Sequence, residues 1–235
     1  KNIKVLYDSF INSPKTWHYR NKMEYAFSSI IYDKKKKCDI DGFGLGFKRQ
    51  NTWWMVENIE KDSGLFDKKW EDSLSEIKQF CSETNLPAWN IPQKKGFFRN
   101  LNIRKSYQYD KLLIELVTSS QEIKKFNSSL FLKKIIELHG ERIEGVIHTI
   151  NDNISDRINY QDVISKTIFG TNKITETILD LNFEIYMSSF FQTNPLCAEK
   201  LYSKVIEYIS INEIDEKSII LDLFCGTGTI AQMIA

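Results

Sequence analysis

Residues 218–223 constrain the fold of this chain more than any other stretch. They read Ser-Ile-Ile-Leu-Asp-Leu, a nearly continuous apolar run that is typical of a strand buried on both faces of a parallel sheet. The run leads directly into residues 224–229, Phe-Cys-Gly-Thr-Gly-Thr, and a helical pattern begins at Ile230. A buried strand, a glycine loop and a helix in this order predict the opening β-loop-α unit of a doubly wound α/β domain.

The glycine loop has the properties of a ligand-binding turn. A loop between a buried strand and a helix presents free backbone N–H groups and the positive end of the helix dipole. Gly226 and Gly228 permit the positive φ angles and the close ligand approach that a Cβ atom would block. A Walker-type phosphate loop is excluded, because no Lys-Ser or Lys-Thr pair follows the second glycine.

Three interpretations of the loop remain open on spacing alone. Residues 226–231, Gly-Thr-Gly-Thr-Ile-Ala, fit the G-x-G-x-x-A fingerprint of dinucleotide binding, whose confirming acidic residue would lie beyond the end of the chain. Asp222 at the tip of the predicted strand favours a cationic ligand instead, such as S-adenosylmethionine with its ammonium and sulfonium groups. In the third interpretation, Asp222 only stabilises a structural turn by accepting backbone N–H bonds.

The rest of the chain has a different character. Its mixture of adjacent strands and occasional amphipathic helices predicts an α+β domain with a largely antiparallel sheet. Strands are predicted at residues 19–32, 53–56, 97–104, 111–117, 142–150, 164–169 and 183–187, and helices at residues 1–10, 65–81, 123–138 and from Pro195 onward. We therefore expect a central domain at residues 1–187 and the start of an α/β Rossmann-like domain at residues 188–235.

The second of these domains is expected to be incomplete within this chain. One strand, one loop and a turn of helix cannot bury both faces of the strand, and a nucleotide-binding half needs several βαβ units of about 30 residues each. In the alternative, the 235 residues are the whole product, and Ile219, Ile220 and Ile230 would remain partly uncovered.

Three glycines at every second position, Gly42, Gly44 and Gly46, predict another strand. Their spacing indicates that a backbone or a helix packs closely against one face. A phosphate-binding loop is the alternative interpretation, but no Lys-Ser or Lys-Thr pair follows Gly46 and no clear apolar strand precedes it.

The composition excludes several classes of protein. No stretch approaches the roughly 18 apolar residues of a membrane span, and the polar start of the sequence has no signal-peptide pattern. The four cysteines, Cys38, Cys81, Cys197 and Cys225, lie far apart without a C-x-x-C pair, so neither a zinc site nor a redox motif is indicated. We expect a reduced, cytoplasmic and monomeric protein without membrane contact.

The net charge of +1 hides an asymmetry between the two parts of the chain. Residues 1–150 hold 26 Lys and Arg against 19 Asp and Glu, whereas residues 151–235 hold 6 against 12. An uneven distribution of this kind is found where one part of a protein meets a polyanion, because Lys and Arg that neutralise phosphates supply most non-specific nucleic-acid affinity. A merely solvated charged face is the alternative.

Two motifs together resemble a known family. Residues 189–194, Ser-Phe-Phe-Gln-Thr-Asn, are followed about thirty residues later by residues 221–230, Leu-Asp-Leu-Phe-Cys-Gly-Thr-Gly-Thr-Ile. This pair closely resembles the RNA uracil-C5 methyltransferases, the RumA/TrmA family. Weaker similarity covers almost all of the remaining chain, at residues 19–22, 45–47, 98–104 and 153–170.

The resemblance implies S-adenosylmethionine as cofactor and assigns its contacts. Gln192 matches the family's glutamine that hydrogen-bonds the cofactor, Phe224 matches the aromatic residue that lines the pocket, and Thr229 matches the polar residue that closes the loop. The expected cofactor-binding residues are Gln192, Asp222, Phe224, Gly226, Gly228 and Thr229. At least one of Phe190 and Phe191 is expected to pack in a core.

The resemblance also implies a reaction. In the family, a thiolate adds to C6 of uracil and C5 attacks the sulfonium methyl group; a base then removes the C5 proton as the thiolate is eliminated from C6. Both the nucleophile and the base lie downstream of the glycine loop in the family, and no position here matches either. Cys225 lies inside the loop, where the family uses it structurally. We expect no catalytic residue within this chain and no activity from the chain alone.

Many family members carry an iron–sulfur cluster on four cysteines, and this chain departs from that pattern. The fourth cysteine would fall near residues 61–63, which read Lys-Asp-Ser. Cys38 and Cys81 are badly placed to substitute for it, so we expect no cluster.

A structured RNA, either tRNA or rRNA, is the expected partner. Arg20, Lys22, Arg99 and Arg104 lie in strand-like segments beside aromatic residues, a combination that holds phosphates and stacks unpaired bases. Alternatively, these aromatic residues form the sheet core and the cations are only solvated. Two other functions remain open, an RNA-binding module without catalysis and an NAD-dependent oxidoreductase that uses the G-x-G-x-x-A loop.

Overall fold

The structure is a computed structural model that describes residues 9–153, 158–211 and 217–234. The strands are β1 (Lys22–Asp33), β2 (Cys38–Lys48), β3 (Val56–Asn58), β4 (Phe98–Lys105), β5 (Leu112–Thr118), β6 (Ile143–Ile150), β7 (Ile164–Gly170), β8 (Lys173–Ile178) and β9 (Leu181–Tyr186). The helices are α1 (Lys68–Glu83), α2 (Ser128–His139), α3 (Pro195–Ile211) and α4 (Thr229–Ile234). Within these residues, no helix is long and apolar enough to cross a membrane.

Seven strands form one sheet in the order β2-β3-β1-β4-β5-β6-β7, and β8 and β9 form a separate hairpin. The pairs within the large sheet are antiparallel except for β5 with β6 and a single-residue pairing of β1 with β3. A parallel pair needs a crossover connection, and α2 lies in the connection between β5 and β6. The predicted α+β fold with a largely antiparallel sheet is confirmed.

Two hydrophobic cores lie on opposite faces of the large sheet, because successive side chains of a strand point to opposite sides. On β5, Leu112 and Ile114 join the main core with Trp70 of α1, whereas Leu113 joins a second core. The second core contains residues of β8, β9, the segment that follows β9, and α3: Ile174, Ile178, Phe183, Ile185, Met187, Phe191, Ala198 and Tyr202. The second core thus places the start of α3 against the sheet.

Most of the elements predicted from periodicity are present. The glycine-rich strand is β2, and a Cβ atom at Gly46 would collide with the Glu57 carbonyl of β3, which confirms the close backbone approach. The strand predicted at residues 53–56 begins only at Val56. Residues 1–8 of the predicted first helix lie outside the described residues, and residues 9–12 are not helical.

The prediction of a strand at residues 218–223 is wrong for this structure. These residues are described as neither helix nor strand, and Ile219 and Leu221 are 86% and 75% exposed. A buried parallel strand depends on neighbours on both sides and on both faces. No strand in the described part of the chain pairs with these residues, so their apolar side chains stay in solvent.

A largely buried carboxylate joins the helical layer to the sheet. Asp67 is the N-cap of α1, where its Oδ1 accepts a hydrogen bond from the Trp70 N–H at 2.9 Å. The same carboxylate accepts from Arg142 at 3.1 and 2.7 Å and from Lys105 at the end of β4 at 2.7 Å. Burial alone would raise the pKa of Asp67, but the hydrogen bonds and positive charges of Arg142 and Lys105 outweigh it and hold the pKa far below its ordinary value.

Replacement of this carboxylate should destabilise the fold in a pH-dependent way. We expect Asp67→Asn to lower the free energy of unfolding by about 2 kcal/mol at neutral pH, because Arg142 and Lys105 lose their largely buried partner and keep the more exposed Asp110. A carboxyl group whose pKa is lowered by folding stabilises the folded state fully when the pH is above its pKa in the unfolded chain, about 4. This stabilisation is lost as the pH falls below that value. The difference between wild type and variant should therefore shrink between about pH 4 and 2, as measured by urea denaturation.

Asp72→Asn on the same helix is the control. Asp72 pairs with Lys68 at 2.6 Å, but both side chains are exposed, so this substitution should hardly change the stability. If the free energies of unfolding of wild type and Asp67→Asn changed in parallel with pH, the stabilising role assigned to the Asp67 carboxylate would be contradicted.

Candidate functional site

The first of the two sequence motifs lies at the start of α3. Asn194 caps the helix, because its Oδ1 accepts from the Cys197 N–H at 3.1 Å. Pro195 is the first helical residue, as predicted; its missing N–H costs nothing there. Asn194 Nδ2 also donates to Ser13 Oγ at 3.0 Å, which fixes residues before β1 to this cap.

The two phenylalanines of this motif have different environments. Phe191 is 4% exposed and packs on Phe183 of β9, with the ring centroids 6.0 Å apart. The expectation of core packing is thus confirmed for Phe191. Phe190 is 70% exposed and lies beside the glycine loop, since a Cβ atom at Gly226 would be 4.0 Å from its ring. The structure therefore places the two motifs next to each other.

Gln192 is held at its backbone, and its side chain lies near Tyr202 of α3. Its carbonyl accepts from Asn21 Nδ2 at 3.0 Å. Burial raises the pKa of the Tyr202 hydroxyl, and the nearby Gln192 amide partly offsets this. Gln192 also lines a groove of about 330 Å³ together with Asn194 and Leu201. Its contact with a cofactor stays a prediction.

The glycine loop adopts a tight turn with left-handed residues. Gly226 and Gly228 have φ angles of 59° and 68°, which agrees with the predicted need for glycine. The Gly228 N–H donates to the Cys225 carbonyl at 2.8 Å. Phe224 also has a positive φ of 63°, which sequence reasoning missed, because this conformation is uncommon for a bulky residue.

Phe224 and Thr229 lie at opposite extremes of exposure. Phe224 is fully exposed, so the described residues do not enclose it, and its place in a cofactor pocket stays a prediction. Thr229 is 6% exposed at the start of α4, and its hydroxyl lies 2.7 Å from that of Thr227.

Asp222 lies just before the glycine loop, and its side chain reaches the first turn of α4. This position is compatible with both interpretations of Asp222, as a ligand contact and as a residue that stabilises the turn. Its Oδ2 accepts from the Ala231 N–H at 3.2 Å, which is the turn-stabilising contact of the structural interpretation. Asp222 also lines a cleft of about 550 Å³ between α3 and α4. The cleft is mainly apolar and is lined by Val205, Ile209, Ser218, Ile220, Leu221, Asp222, Leu223, Ile230, Ala231 and Ile234. A carboxylate in an apolar cleft at a glycine turn fits a small cationic ligand with an apolar body.

Two of the four predicted RNA contacts are wrong, because Arg99 and Arg104 are each 2% exposed. Arg99 donates to the carbonyls of Asn151 at 2.6 Å and Asn153 at 2.7 Å and lies over the Trp89 ring. Buried guanidinium groups that are already hydrogen-bonded to the backbone cannot reach an RNA phosphate.

Arg104 contacts the first motif instead of solvent. Its guanidinium donates to the carbonyls of Met187, at 3.3 Å, and Ser189. Burial lowers the pKa of Arg104 to about 10, so the group is still charged at neutral pH. The aromatic residues near the two buried arginines, Phe97 and Phe98, are also fully buried; the alternative of a sheet core is therefore confirmed for them.

Arg20 and Lys22 remain accessible. Both are partly exposed; Arg20 Nε donates to the Lys22 carbonyl at 3.3 Å, and Lys22 Nζ pairs with Glu24 at 2.7 Å. They flank Asn21, whose side chain contacts Gln192. The two cations therefore lie next to the first motif.

The cysteines and other metal-ligating side chains do not converge on one point. Within residues 9–153, 158–211 and 217–234, no group of three or more His, Cys, Asp or Glu side chains is arranged to hold a metal ion. Cys81 is buried, and burial raises the pKa of its thiol far above the ordinary value.

Sequence reasoning missed Asn21 as a residue of the site. It is 3% exposed, and its backbone N–H donates to the Thr193 carbonyl at 2.8 Å. Its one signal in the sequence is its position in the Tyr-Arg-Asn-Lys stretch at residues 19–22. The prediction for this stretch selected the two cations and left out Asn21.

Comparison with known proteins covers nearly the whole chain. No family model matches it. It is 36% identical over 227 residues to an uncharacterized RNA methyltransferase of Clostridium acetobutylicum, which covers 97% of this chain and 47% of that protein. It is 35% identical over 223 residues to an uncharacterized RNA methyltransferase of Clostridium tetani, with coverage of 95% and 46%. The chain thus spans about half the length of the curated relatives it matches.

A solved structure agrees with these relatives. The crystal structure of the Pyrococcus abyssi tRNA (uracil-54, C5)-methyltransferase in complex with S-adenosyl-L-homocysteine matches with a TM-score of 0.66 and 25% identity, covering 96% of this chain and 48% of that one. Sequence relatives and fold both support the RumA/TrmA-like family of RNA uracil-C5 methyltransferases, which the two motifs resemble.

Proposed function

We propose that this chain is the RNA-facing central domain and the first part of the cofactor domain of an enzyme that methylates C5 of a uridine in a structured tRNA or rRNA. The central domain would comprise residues 1–187 and the cofactor domain would begin at residue 188. The observation that carries the proposal is the closeness of the first motif to the glycine loop, where Phe190 lies beside Gly226. The methyl donor would be S-adenosylmethionine, which supplies an electrophilic methyl group on its sulfonium.

The residues around the loop have the chemistry that this cofactor needs. Gly226 and Gly228 leave room for close approach to the backbone. Asp222 would offer its carboxylate to a cationic group, and Gln192 has both a donor and an acceptor for the polar parts of the ligand. The nucleophile and the base are not assigned to any residue of this chain.

The two alternative functions have less support. The G-x-G-x-x-A spacing is present, but the matched relatives and the matched structure carry methyltransferase names, which favours the methyl donor over NAD. A pure RNA-binding module would not need the glycine loop. We further propose a monomer that acts in the cytoplasm, where its RNA substrate would be found.

Arg20 and Lys22 are the proposed RNA contacts. They are the partly exposed members of the predicted basic set, and they lie on either side of Asn21, next to the cofactor motif. Cations at this place would hold phosphates of an RNA whose target uridine reaches the methyl donor.

The cofactor assignment predicts which ligand binds and how a substitution in the glycine loop changes its affinity. In the full-length gene product, we expect S-adenosylhomocysteine to bind and NAD to give no heat in titration calorimetry. Gly228→Ala should weaken S-adenosylhomocysteine about tenfold, equivalent to roughly 1.4 kcal/mol. The reason is that Gly228 has a φ of 68°, so the variant strains the turn and places a methyl group where the ligand approaches.

Gly140→Ala is the matched control for this test. Gly140 has a positive φ of 52° and ends α2, and a Cβ atom there would have no neighbour within 4 Å. This variant should add backbone strain of its own, since Gly140 has a ψ of −126°, and should leave the ligand affinity unchanged. Binding of NAD in place of S-adenosylhomocysteine would refute the proposed function.

The RNA assignment predicts a change in salt dependence. Arg20→Ala with Lys22→Ala should weaken binding of a uridine-containing stem-loop RNA and reduce the slope of log K against log salt by about 2, one for each phosphate that the variant no longer neutralises. The measurement is fluorescence anisotropy over a range of salt concentrations.

Lys124→Ala with Lys125→Ala is the control, since it removes two positive charges from the turn before α2. That pair should leave the slope nearly unchanged. Equal slopes for wild type and the Arg20/Lys22 double variant would contradict the assignment.

A further inference from the structure

We propose that Arg104 and Asn21 are positioning residues that fix the cofactor motif to the central sheet. The proposal rests on the proposed function, because it assigns a role relative to the same cofactor site. Neither residue is assigned a contact with the cofactor or the substrate. Their role is to hold the backbone on which Phe190 and Gln192 are carried.

The motif has little secondary structure of its own. Residues 187–194, all of which the structure describes, are assigned to neither helix nor strand. The backbone polar groups of such a segment need partners elsewhere when they are buried. Its conformation therefore depends on donors from other elements.

Arg104 supplies donors to the beginning of this segment. Its guanidinium contacts the carbonyls of Met187 and Ser189, directly before Phe190. A guanidinium is planar and has several N–H donors in a rigid fork, so it fixes the relative positions of its acceptors. The side chain is 2% exposed, so these contacts are shielded from water.

Asn21 supplies donors to the end of the segment. Its backbone N–H donates to the Thr193 carbonyl at 2.8 Å, and its Nδ2 donates to the Gln192 carbonyl at 3.0 Å. Its own carbonyl accepts from the Lys105 N–H at 2.8 Å, next to Arg104 in β4. Arg104 in β4 and Asn21 directly before β1 thus donate hydrogen bonds to four carbonyls of the segment. Two of these carbonyls precede the Phe-Phe pair and two follow it.

These hydrogen bonds link the large sheet to the proposed cofactor site. With both ends of the segment fixed, Phe190 is held beside Gly226, and the backbone of Gln192 is held close to Tyr202. A binding site that is preorganised in this way loses less entropy when the ligand binds. Loss of Arg104 or Asn21 should accordingly lower cofactor affinity in addition to stability.

The structure provides a matched control on the same strand. Arg99 is also in β4, is also 2% exposed and also donates to two backbone carbonyls, but its acceptors belong to Asn151 and Asn153. Arg99→Met and Arg104→Met should therefore lower the melting temperature comparably. Only Arg104→Met should change the cofactor affinity.

The experiment uses the full-length gene product and S-adenosylhomocysteine as the probe. We expect Arg104→Met to weaken S-adenosylhomocysteine at least tenfold in calorimetry and to raise the KM for S-adenosylmethionine, with little change in kcat or in the KM for RNA. Arg104→Lys keeps the charge with one compact donor group and should recover part of the affinity. Arg99→Met should bind the probe as wild type does.

Asn21→Asp tests the other end of the segment and keeps the proposal falsifiable if Arg104→Met does not fold. This nearly isosteric change replaces the donor that faces the Gln192 carbonyl with an acceptor, so the probe should again bind at least tenfold more weakly. Wild-type affinity in both Arg104→Lys and Asn21→Asp, or an equal loss of affinity in Arg99→Met, would overturn the positioning role. Failure of the wild-type protein to bind the probe would instead refute the proposed function and the positioning role with it.

Discussion

The structure depends on hydrogen bonds from the sheet to a segment that cannot order itself. Within the described residues, 187–193 lie between β9 and α3 without helix or strand hydrogen bonds, so their carbonyls need donors from other elements. Arg104 and Asn21 supply these donors from β4 and from the residue before β1. The second hydrophobic core holds the same segment through Phe191. Polar and apolar contacts together place the start of α3.

Buried arginines serve as structural donors in this fold. Arg99 and Arg104 each connect β4 to an irregular segment, and each does so through backbone carbonyls. A buried charge is costly unless hydrogen bonds satisfy it. The fully charged guanidinium suits this role because it has several donors and keeps its proton even when burial lowers its pKa. Asp67 shows the complementary case, a buried carboxylate that collects two cations and a helix N-terminus.

Elements with strong periodicity could be predicted, and elements that depend on distant partners could not. Helix α1 has apolar residues at helical spacing and a capping aspartate, which are local signals. The sequence analysis did not predict strand β8, because a short polar strand resembles a loop until its partner β9 is known. Its alternating burial is visible only in the structure. The apolar run at residues 218–223 predicted a strand, yet a strand forms only where neighbours provide its ladder bonds.

The sequence by itself determined the fold class, the family and the positions of the two motifs, since periodicity, glycine spacing and motif residues are local properties. It also indicated positive φ angles at Gly226 and Gly228, because glycine adopts them without the strain that a Cβ atom would add. Only the tertiary structure decided which basic residues face solvent. Arg20 and Arg104 both lie in strand-like segments that also contain aromatic residues, but packing of the Met187–Ser189 carbonyls buries Arg104, whereas Arg20 is partly exposed. Burial is a property of contacts between distant segments, and no local pattern contains it.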